Sequence, residues 1–454
     1  MIHKFTAGGL FFLVDTASGS IHAADEAVYD IASDFETETA QAIIRKYKTK
    51  YSEAEIAECL EELTELKNAG TLYSRDIYEN IPLKELGKPV VKALCMHMAH
   101  DCNLKCGYCF GAGGAFNGEK QLMSLDTAKE AINFVIKNSG SRKNLEIDFF
   151  GGEPLMNLNV IKETVAYARQ KEKEHGKKFN FTLTTNGVLL GGETNRFINE
   201  NMQNVVLSLD GRKEVNDNMR KTANSAGSSY DIIVPKFLEL VKARDYKNYY
   251  VRATFTADNL DFSNDALHLA RLGFKEISVE PVVADETLPY ALKGEHLDEI
   301  YRQYEILAQK MAEANKEGNG FNFFHFNIDL EGGPCVYKRL AGCGAGTEYL
   351  AVTPSGDLYP CHQLVGKSEY LLGSVYTGIT NTEAGRKFRN TNVYTKPNCK
   401  NCWAKFICGG GCIANAVNTN GNLETPYEYG CKLMKKRIEC AILYKYYLSE
   451  QNIC

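Results

Sequence analysis

A chain of 454 residues, 44% hydrophobic and 24% charged, has room for about three domains of ordinary size and enough apolar residues for their cores. Its formal charge of −5 is spread over mixed-sign sequence with no basic run, which argues against nucleic acid, and no apolar stretch approaches a membrane span. The start, Met1-Ile2-His3-Lys4, lacks the apolar core and cleavage site of a signal peptide, so the expected location is cytoplasmic.

Residues 11–14 and 20–23 flank Asp15-Thr16-Ala17-Ser18-Gly19 and predict a hairpin with turn residues at its tip. A helix follows with Ala27, Val28, Ile31, Ala32 and Phe35 on one face, then a shorter one over 40–47. Ser52-Glu53-Ala54-Glu55 is a capping box opening a third helix, with Ile56, Cys59, Leu60, Leu63 and Leu66 inward and Gly70 at its end. Residues 71–74 complete the pattern as a closing strand. Together, residues 1–85 describe a small winged-helix-like domain with no catalytic cluster, in which Cys59 is a core residue. Such a unit suits either the gripping of a peptide as an added strand or dimerisation and capping.

The central half alternates strand and helix patterns. Strands are predicted at 93–98, 145–150, 179–184, 205–209, 250–256 and 277–282, and amphipathic helices at 124–138, 157–174, 194–201, 230–244 and 263–272. Six βα units imply an α/β fold with a parallel sheet, too few for a closed eightfold barrel. Functional residues in such folds collect at the carboxyl ends of strands, and these ends are distinctive. The first strand runs into Cys102-Asn103-Leu104-Lys105-Cys106-Gly107-Tyr108-Cys109; the second ends in Gly151-Gly152-Glu153-Pro154. The third ends in Thr184-Thr185-Asn186-Gly187 and the fourth in Ser208-Leu209-Asp210-Gly211, with Asn216-Asp217-Asn218-Met219-Arg220 close behind.

Three thiolates can hold three irons of a cubane and leave the fourth open, whereas ordinary four-thiolate clusters close every iron. A zinc knuckle is the alternative on spacing alone. The triplet, CxxxCx(aromatic)C, resembles the signature of the radical S-adenosylmethionine (radical SAM) superfamily, and the order of elements resembles its partial (βα)6 barrel. By that resemblance Cys102, Cys106 and Cys109 hold a 4Fe–4S cluster, and Tyr108 lies beside its open position. Gly151, Gly152 and Glu153 would hold the SAM amino group; Asn186, Ser208 and Arg220 would surround its ribose and carboxylate. No catalytic residue is assigned beyond this cluster. Asn216 stands where the family often has His, and Asp210 could simply cap a helix. The resemblance implies one-electron cleavage of SAM and hydrogen abstraction by the 5′-deoxyadenosyl radical.

A long helix is predicted at 293–317 and a buried strand at 321–326, where His325 has no evident partner. Of the fifteen cysteines, none lies between 110 and 334 and nine lie between 335 and 440, a clustering that metal ligation explains better than scattered core thiols. Cys343 and Cys361 enclose Gly356; Cys399, Cys402, Cys408 and Cys412 follow at fixed intervals through Gly409-Gly410-Gly411, and Cys431 comes last. This spacing resembles the seven-cysteine SPASM pattern, which implies two auxiliary 4Fe–4S clusters: Cys343, Cys361 and Cys412 at the nearer, Cys399, Cys402, Cys408 and Cys431 at the distal one. The nearer cluster lacks a fourth ligand, which Cys335 or a substrate thiolate could supply. Cys95, Cys440 and Cys454 are left as core or surface thiols.

The expected division is therefore 1–85 leader recognition, 86–285 barrel, 286–334 bridging helix and strand, and 335–454 SPASM domain. The whole is similar to radical SAM/SPASM peptide maturases, most of all those of SCIFF peptides. These install thioether crosslinks in a cysteine-rich ribosomal precursor peptide held by its leader, drawing electrons from a donor such as flavodoxin or ferredoxin. Sulfatase-maturating enzymes, peptide epimerisation and carbon–carbon crosslinking stand as alternatives, and an iron–sulfur electron carrier or peptide chaperone as a non-enzymatic one.

Overall fold

The computed structural model describes residues 1–79, 90–223, 227–328 and 336–451. The expected boundaries at 85 and 334, Cys335 and Cys454 lie outside them.

The N-terminal unit is an antiparallel sheet of β1 (Ile2–Ala7), β2 (Leu10–Asp15) and β3 (Ile21–Ala24), in that spatial order, with helices α1 (Glu26–Ile31), α2 (Ala40–Tyr47) and α3 (Glu53–Asn68). The predicted hairpin is β2–β3; β1, which pairs with β2 from Ile2–Asp15 to Ala7–Leu10, was not foreseen. The capping box forms as expected: Ser52 N–H donates to Glu55 Oε2 at 2.7 Å, and Glu55 N–H to Ser52 Oγ at 3.2 Å. Leu13, Val28, Ile31, Ile43, Ile56, Cys59, Leu63 and Leu72 form a separate small core. Residues 71–74 are not a strand. Tyr73 has φ +56°, which an extended chain cannot include, and its hydroxyl donates to the Ala32 carbonyl at 2.6 Å.

The central unit runs through β4 (Ala93–Ala99), β5 (Leu104–Cys106), α4 (Leu125–Asn138), β6 (Asn144–Gly151), α5 (Leu158–His175), β7 (Lys178–Thr185), α6 (Gly192–Asn201) and β8 (Asn204–Ser208). It continues with α7 (Lys213–Met219), β9 (Arg220–Thr222), α8 (Ser229–Lys242), β10 (Tyr249–Phe255), α9 (Phe262–Arg271), β11 (Glu276–Pro281), α10 (Leu297–Lys316) and β12 (Asn322–Phe323). All six predicted strands form, and they lie side by side as β4-β6-β7-β8-β10-β11 in parallel register. Leu94, Met96, Leu145, Ile147, Phe149, Phe181, Leu183, Val205, Leu207, Val251, Ala253, Ile277 and Val279 occupy alternate positions and are buried in the main core. The opposite strand face carries Asp148, Thr184, Ser208, Arg252 and Glu280, so the period of two separates a packed face from a polar one. The predicted strand at 321–326 is only two residues long, because Phe324–Phe326 turn into a 3₁₀ helix and Phe324 is exposed.

The cysteine-rich end contains α11 (Val336–Ala341), β13 (Tyr349–Val352), β14 (Asp357–Tyr359), β15 (Gly373–Ser374), β16 (Gly378–Ile379), α12 (Thr382–Asn390), α13 (Pro397–Lys400), α14 (Lys405–Cys408), α15 (Ile413–Asn420) and α16 (Glu428–Gln451). β13 pairs in parallel with β4, Ala351 opposite Cys95, so one sheet runs from the barrel into this unit. The N-terminal unit docks on the same end. His3 stacks on Trp403 with ring centroids 3.8 Å apart, its Nε2 lies 3.0 Å from Glu439 Oε1, and Asp76 accepts from Tyr394 (2.8 Å) and Lys405 (2.7 Å).

Candidate active site and metal centres

The triplet loop is sewn to the end of the neighbouring strand. Gly152 N–H donates to Ala99 O at 2.8 Å and Glu153 N–H to Asp101 O at 2.9 Å. A Cβ on Gly151 would lie 2.4 Å from Ala99 O, and one on Gly152 would lie 2.1 Å from Asp101 O. The two glycines thus admit the cysteine loop itself, where the sequence suggested close approach by a ligand. Cys102 Sγ accepts from Leu104 N–H at 3.4 Å and lies 3.6 Å from Asn186 Nδ2, which also donates to Asn103 Oδ1 at 2.7 Å. Cys106 ends β5, opposite Arg220 in its antiparallel pairing with β9.

Glu153 is fully buried. Its carboxylate accepts from Leu155 N–H (3.0 Å), Thr185 Oγ1 (2.8 Å) and Asn186 N–H (2.8 Å), tying the second strand end to the third. Two carboxylate oxygens offer about four acceptor positions, so one is left for a ligand ammonium. Burial pushes this carboxyl up to about 7 against those three hydrogen bonds.

Asp210 is the organising residue on the opposite side. Fully buried, it accepts from Tyr108 Oη at 2.6 Å and from Thr254 N–H at 3.0 Å, and lies 3.1 Å from Arg220. Arg220 also lies over the Tyr108 ring, 5.5 Å from its centroid. Burial works against the Arg220 charge, but Asp210, Tyr108 and Cys106 hold it protonated. Arg220 Nε is buried with no hydrogen-bond partner, a donor suited to a ligand carboxylate. Asn216, in the place of the family's His, is fully buried and holds the arrangement: its Oδ1 accepts from Asp210 N–H at 3.3 Å and its Nδ2 donates to Ser229 Oγ at 2.9 Å. Ser208 closes β8 opposite Arg252.

The later cysteines lie along two stretches, Cys343 to Cys361 and Cys399 to Cys431. Burial raises Cys361 and Cys431, and as thiolates Cys412 and Cys343 would raise the first further, and Cys408, Cys399 and Cys402 the second. Gly409, Gly410 and Gly411 all have left-handed φ (+67°, +89°, +74°), which turns the chain between Cys408 and Cys412. Burial pushes Cys102 and Cys361 up to about 12 and Cys106, Cys399 and Cys431 to about 11. Free thiols so placed stay protonated at neutral pH and become thiolates when a metal takes the proton's place. Among the described residues no three His, Cys, Asp or Glu converge closely enough for one ion. Thiols are the donors that iron–sulfur clusters take. Cys95 and Cys440 are fully buried core thiols.

The polar strand face holds groups that sequence reasoning missed. Glu280 lies 3.4 Å from His325 Nε2, and 3.8 Å from both Arg437 and Arg252. His325 thus has the partner that its sequence neighbours did not reveal. Burial opposes Glu280 ionisation, but His325 where it is protonated, Arg437 and Arg252 hold its carboxyl at about 2. Asp148 is pushed up to about 7 by burial. His97 Nδ1 lies 3.0 Å from His100 Nε2, and His362 Nδ1 is 2.9 Å from Tyr349 Oη, beside Cys361. The signal was present in single polar residues at alternate positions of otherwise apolar strands, which become significant only once the face they share is known.

Two family descriptions match the chain: a 4Fe-4S single cluster domain over residues 88–234, and SPASM, an iron–sulfur cluster-binding domain, over 343–403. Among curated relatives, the radical SAM cyclopropyl synthase TigE of Paramaledivibacter caminithermalis is 24% identical over 76% of this chain and 72% of its own. A serine-type anaerobic sulfatase-maturating enzyme of Bacteroides thetaiotaomicron is 27% identical over 73% of this chain and 84% of its own. Among solved structures, that of anSMEcpe with bound AdoMet superposes with a TM-score of 0.67 at 21% identity, covering 80% of this chain and 96% of that one. SuiB of Streptococcus suis bound to the precursor peptide SuiA gives 0.54 at 16% identity, covering 93% and 96%. The fold and the two matched iron–sulfur domains together define an iron–sulfur protein of the radical SAM class. The chain is a radical SAM enzyme with a C-terminal SPASM domain, and its cofactors are iron–sulfur clusters and S-adenosylmethionine.

Proposed function

We propose that this enzyme forms intramolecular thioether crosslinks, cysteine sulfur to carbon, in a cysteine-rich ribosomal precursor peptide. The observation that carries this reading is the docking of the N-terminal sheet, through His3, Trp403 and Asp76, on the end of the molecule that gathers seven cysteines. A peptide added as a strand at β3 would be delivered toward the barrel from there. The coverage of precursor-bound SuiB, which spans the N-terminal unit, supports a peptide substrate.

In this proposal Cys102, Cys106 and Cys109 hold the SAM cluster, and SAM lies among Tyr108, Gly151, Gly152, Glu153, Asn186, Ser208 and Arg220. Bound there, cluster and SAM supply one-electron cleavage of a carbon–sulfur bond and, from it, hydrogen abstraction. Arg220 offers its free Nε to the methionine carboxylate, while Asp210 and Tyr108 fix its plane. Glu153 keeps one acceptor position for the amino group. Cys343, Cys361 and Cys412 hold the nearer auxiliary cluster, with Cys335 or a substrate thiolate completing it, and Cys399, Cys402, Cys408 and Cys431 the distal one. The domains divide at 85, 285 and 334, and a low-potential flavodoxin or ferredoxin supplies electrons.

A sulfatase-maturating activity is the second reading, favoured by the 27% identity to the Bacteroides enzyme. Mass spectrometry after anaerobic incubation with SAM, reductant and a cysteine-rich peptide carrying its leader decides between them. A crosslink removes two hydrogens and leaves an internal link that resists thiol alkylation. A product that aldehyde reagents trap, formed without such a link, refutes the thioether proposal.

A further inference from the structure

Lys396 reaches the turn between Cys408 and Cys412, and only 2% of it is exposed. A buried ammonium is costly unless an opposite charge offsets it. Lys405, also buried, has Asp76 at 2.7 Å. Among the described residues no carboxylate stands at ion-pair distance from Lys396; one of its N–H bonds goes to the Gly410 carbonyl at 2.7 Å. Burial lowers its pKa, and the charges that would work against this are those Cys399, Cys408, Cys412 and Cys431 carry as thiolates. Protonated thiols would leave the ammonium uncompensated. Thiolates around iron supply the missing charge.

We infer that Lys396 is a positioning residue shared by both auxiliary sites, its ammonium serving as their buried counter-charge and raising the reduction potential of the distal cluster. The inference rests on the proposed reading of these cysteines as cluster ligands. A cubane held by four thiolates is anionic and gains one more negative charge on reduction, so a neighbouring cation favours the reduced form. Away from water that attraction is weakly screened. The same ammonium grips Gly410, midway along the turn from Cys408 to Cys412, and so fixes one ligand segment of each set.

Anaerobically reconstituted wild type, Lys396→Met and Lys396→Arg are compared by iron and sulfide content and by potentiometric titration followed by electron paramagnetic resonance. Lys396→Met is expected to hold as much iron as wild type. Reduction of the distal auxiliary couple should become at least tenfold less favourable, about 59 mV more negative for one electron, and a shift confined to the nearer couple overturns the inference. The couple of the Cys102–Cys109 cluster should not move, and Lys396→Arg should restore most of the shift. Unmoved auxiliary couples in fully loaded Lys396→Met overturn the inference, as does a shift in Lys396→Arg equal to that in Lys396→Met. Should Lys396→Met lose iron, the titration is made on Lys396→Gln, which keeps a donor for the Gly410 carbonyl, and the same criteria apply. Wild type that binds iron for one cluster only overturns the ligand reading itself, a failure visible before any variant is titrated.

Discussion

Asp210→Asn removes one charge and almost no volume from the group that orients Tyr108 and Arg220. In the wild type the carboxylate is fully buried, 3.1 Å from the guanidinium and 2.6 Å from the phenol. Removing one partner of a buried ion pair costs about 3–5 kcal/mol, because the other charge is left uncompensated. Replacing both partners by neutral groups of similar volume is often close to neutral. Asp210→Asn and Arg220→Met should therefore each destabilise strongly, and the double variant should recover most of the loss, with a coupling energy of at least about 2 kcal/mol. Denaturant unfolding of the metal-free proteins measures this cycle, and deoxyadenosine release by the loaded enzymes measures its consequence. We expect SAM cleavage to fall at least about tenfold in both single variants and to stay low in the double, where stability has returned but the arginine has not. Additive stability losses would refute the argument that Asp210 acts chiefly as the counter-ion of Arg220.

Three further outcomes follow from other parts of the structure. Gly152→Ala places a methyl 2.1 Å from Asp101 O, so it should cost about 3 kcal/mol or more by thermal melting and lower the iron retained by the Cys102 triplet. Burial lowers His100 and His362 to about 4 and His325 to about 3, with Arg252 adding to the effect at His362 and Arg437 at His325, so all three are neutral when folded. Unfolded histidines take up protons at about pH 6.5, so the unfolded state binds more protons below that pH. The three histidines therefore make metal-free protein lose stability as pH falls from about 6.5 toward 4, by about 1.4 kcal/mol per unit each, while the raised carboxyls of Glu153 and Asp148 work the other way below about 7. The histidine share is the difference between pH-dependent melts of wild type and His325→Gln, and identical slopes in the two would contradict it. Trp403→Ala removes the stacked contact with His3 and should weaken docking of the N-terminal unit by about 1 kcal/mol, seen as faster proteolysis between residues 1 and 90 with deoxyadenosine release unchanged.

The barrel strands were legible because period two and strand length agree along each of them, and every one begins and ends within one residue of the expected place. The C-terminal iron–sulfur domain was legible because its cysteine spacing is local, and the SPASM description matches over residues 343–403. Asp210 was not, since a carboxylate after a strand also reads as a cap; its partners Tyr108 and Arg220 lie 102 and 10 residues away in the chain. Glu280, His325 and Arg437 were missed for the same reason, as three elements contribute one residue each. The misplaced strands at 71–74 and 321–326 had strand-like composition, but Tyr73 takes a left-handed backbone and Phe324 turns outward, choices made by tertiary packing.

The parallel pairing of β13 with β4 has a mechanical consequence. Backbone hydrogen bonds, and not side chains alone, join the strand that launches the Cys102 loop to the strand that runs between Cys343 and Cys361. A hinge between the two metal-bearing regions would have to unzip that ladder, so their separation is a fixed dimension of the molecule rather than a variable of its cycle. Amide hydrogens along Tyr349–Val352 and Ala93–Ala99 should exchange together, as one cooperative block. A chain cut before residue 343 would expose the edge of β4 and invite pairing with other molecules.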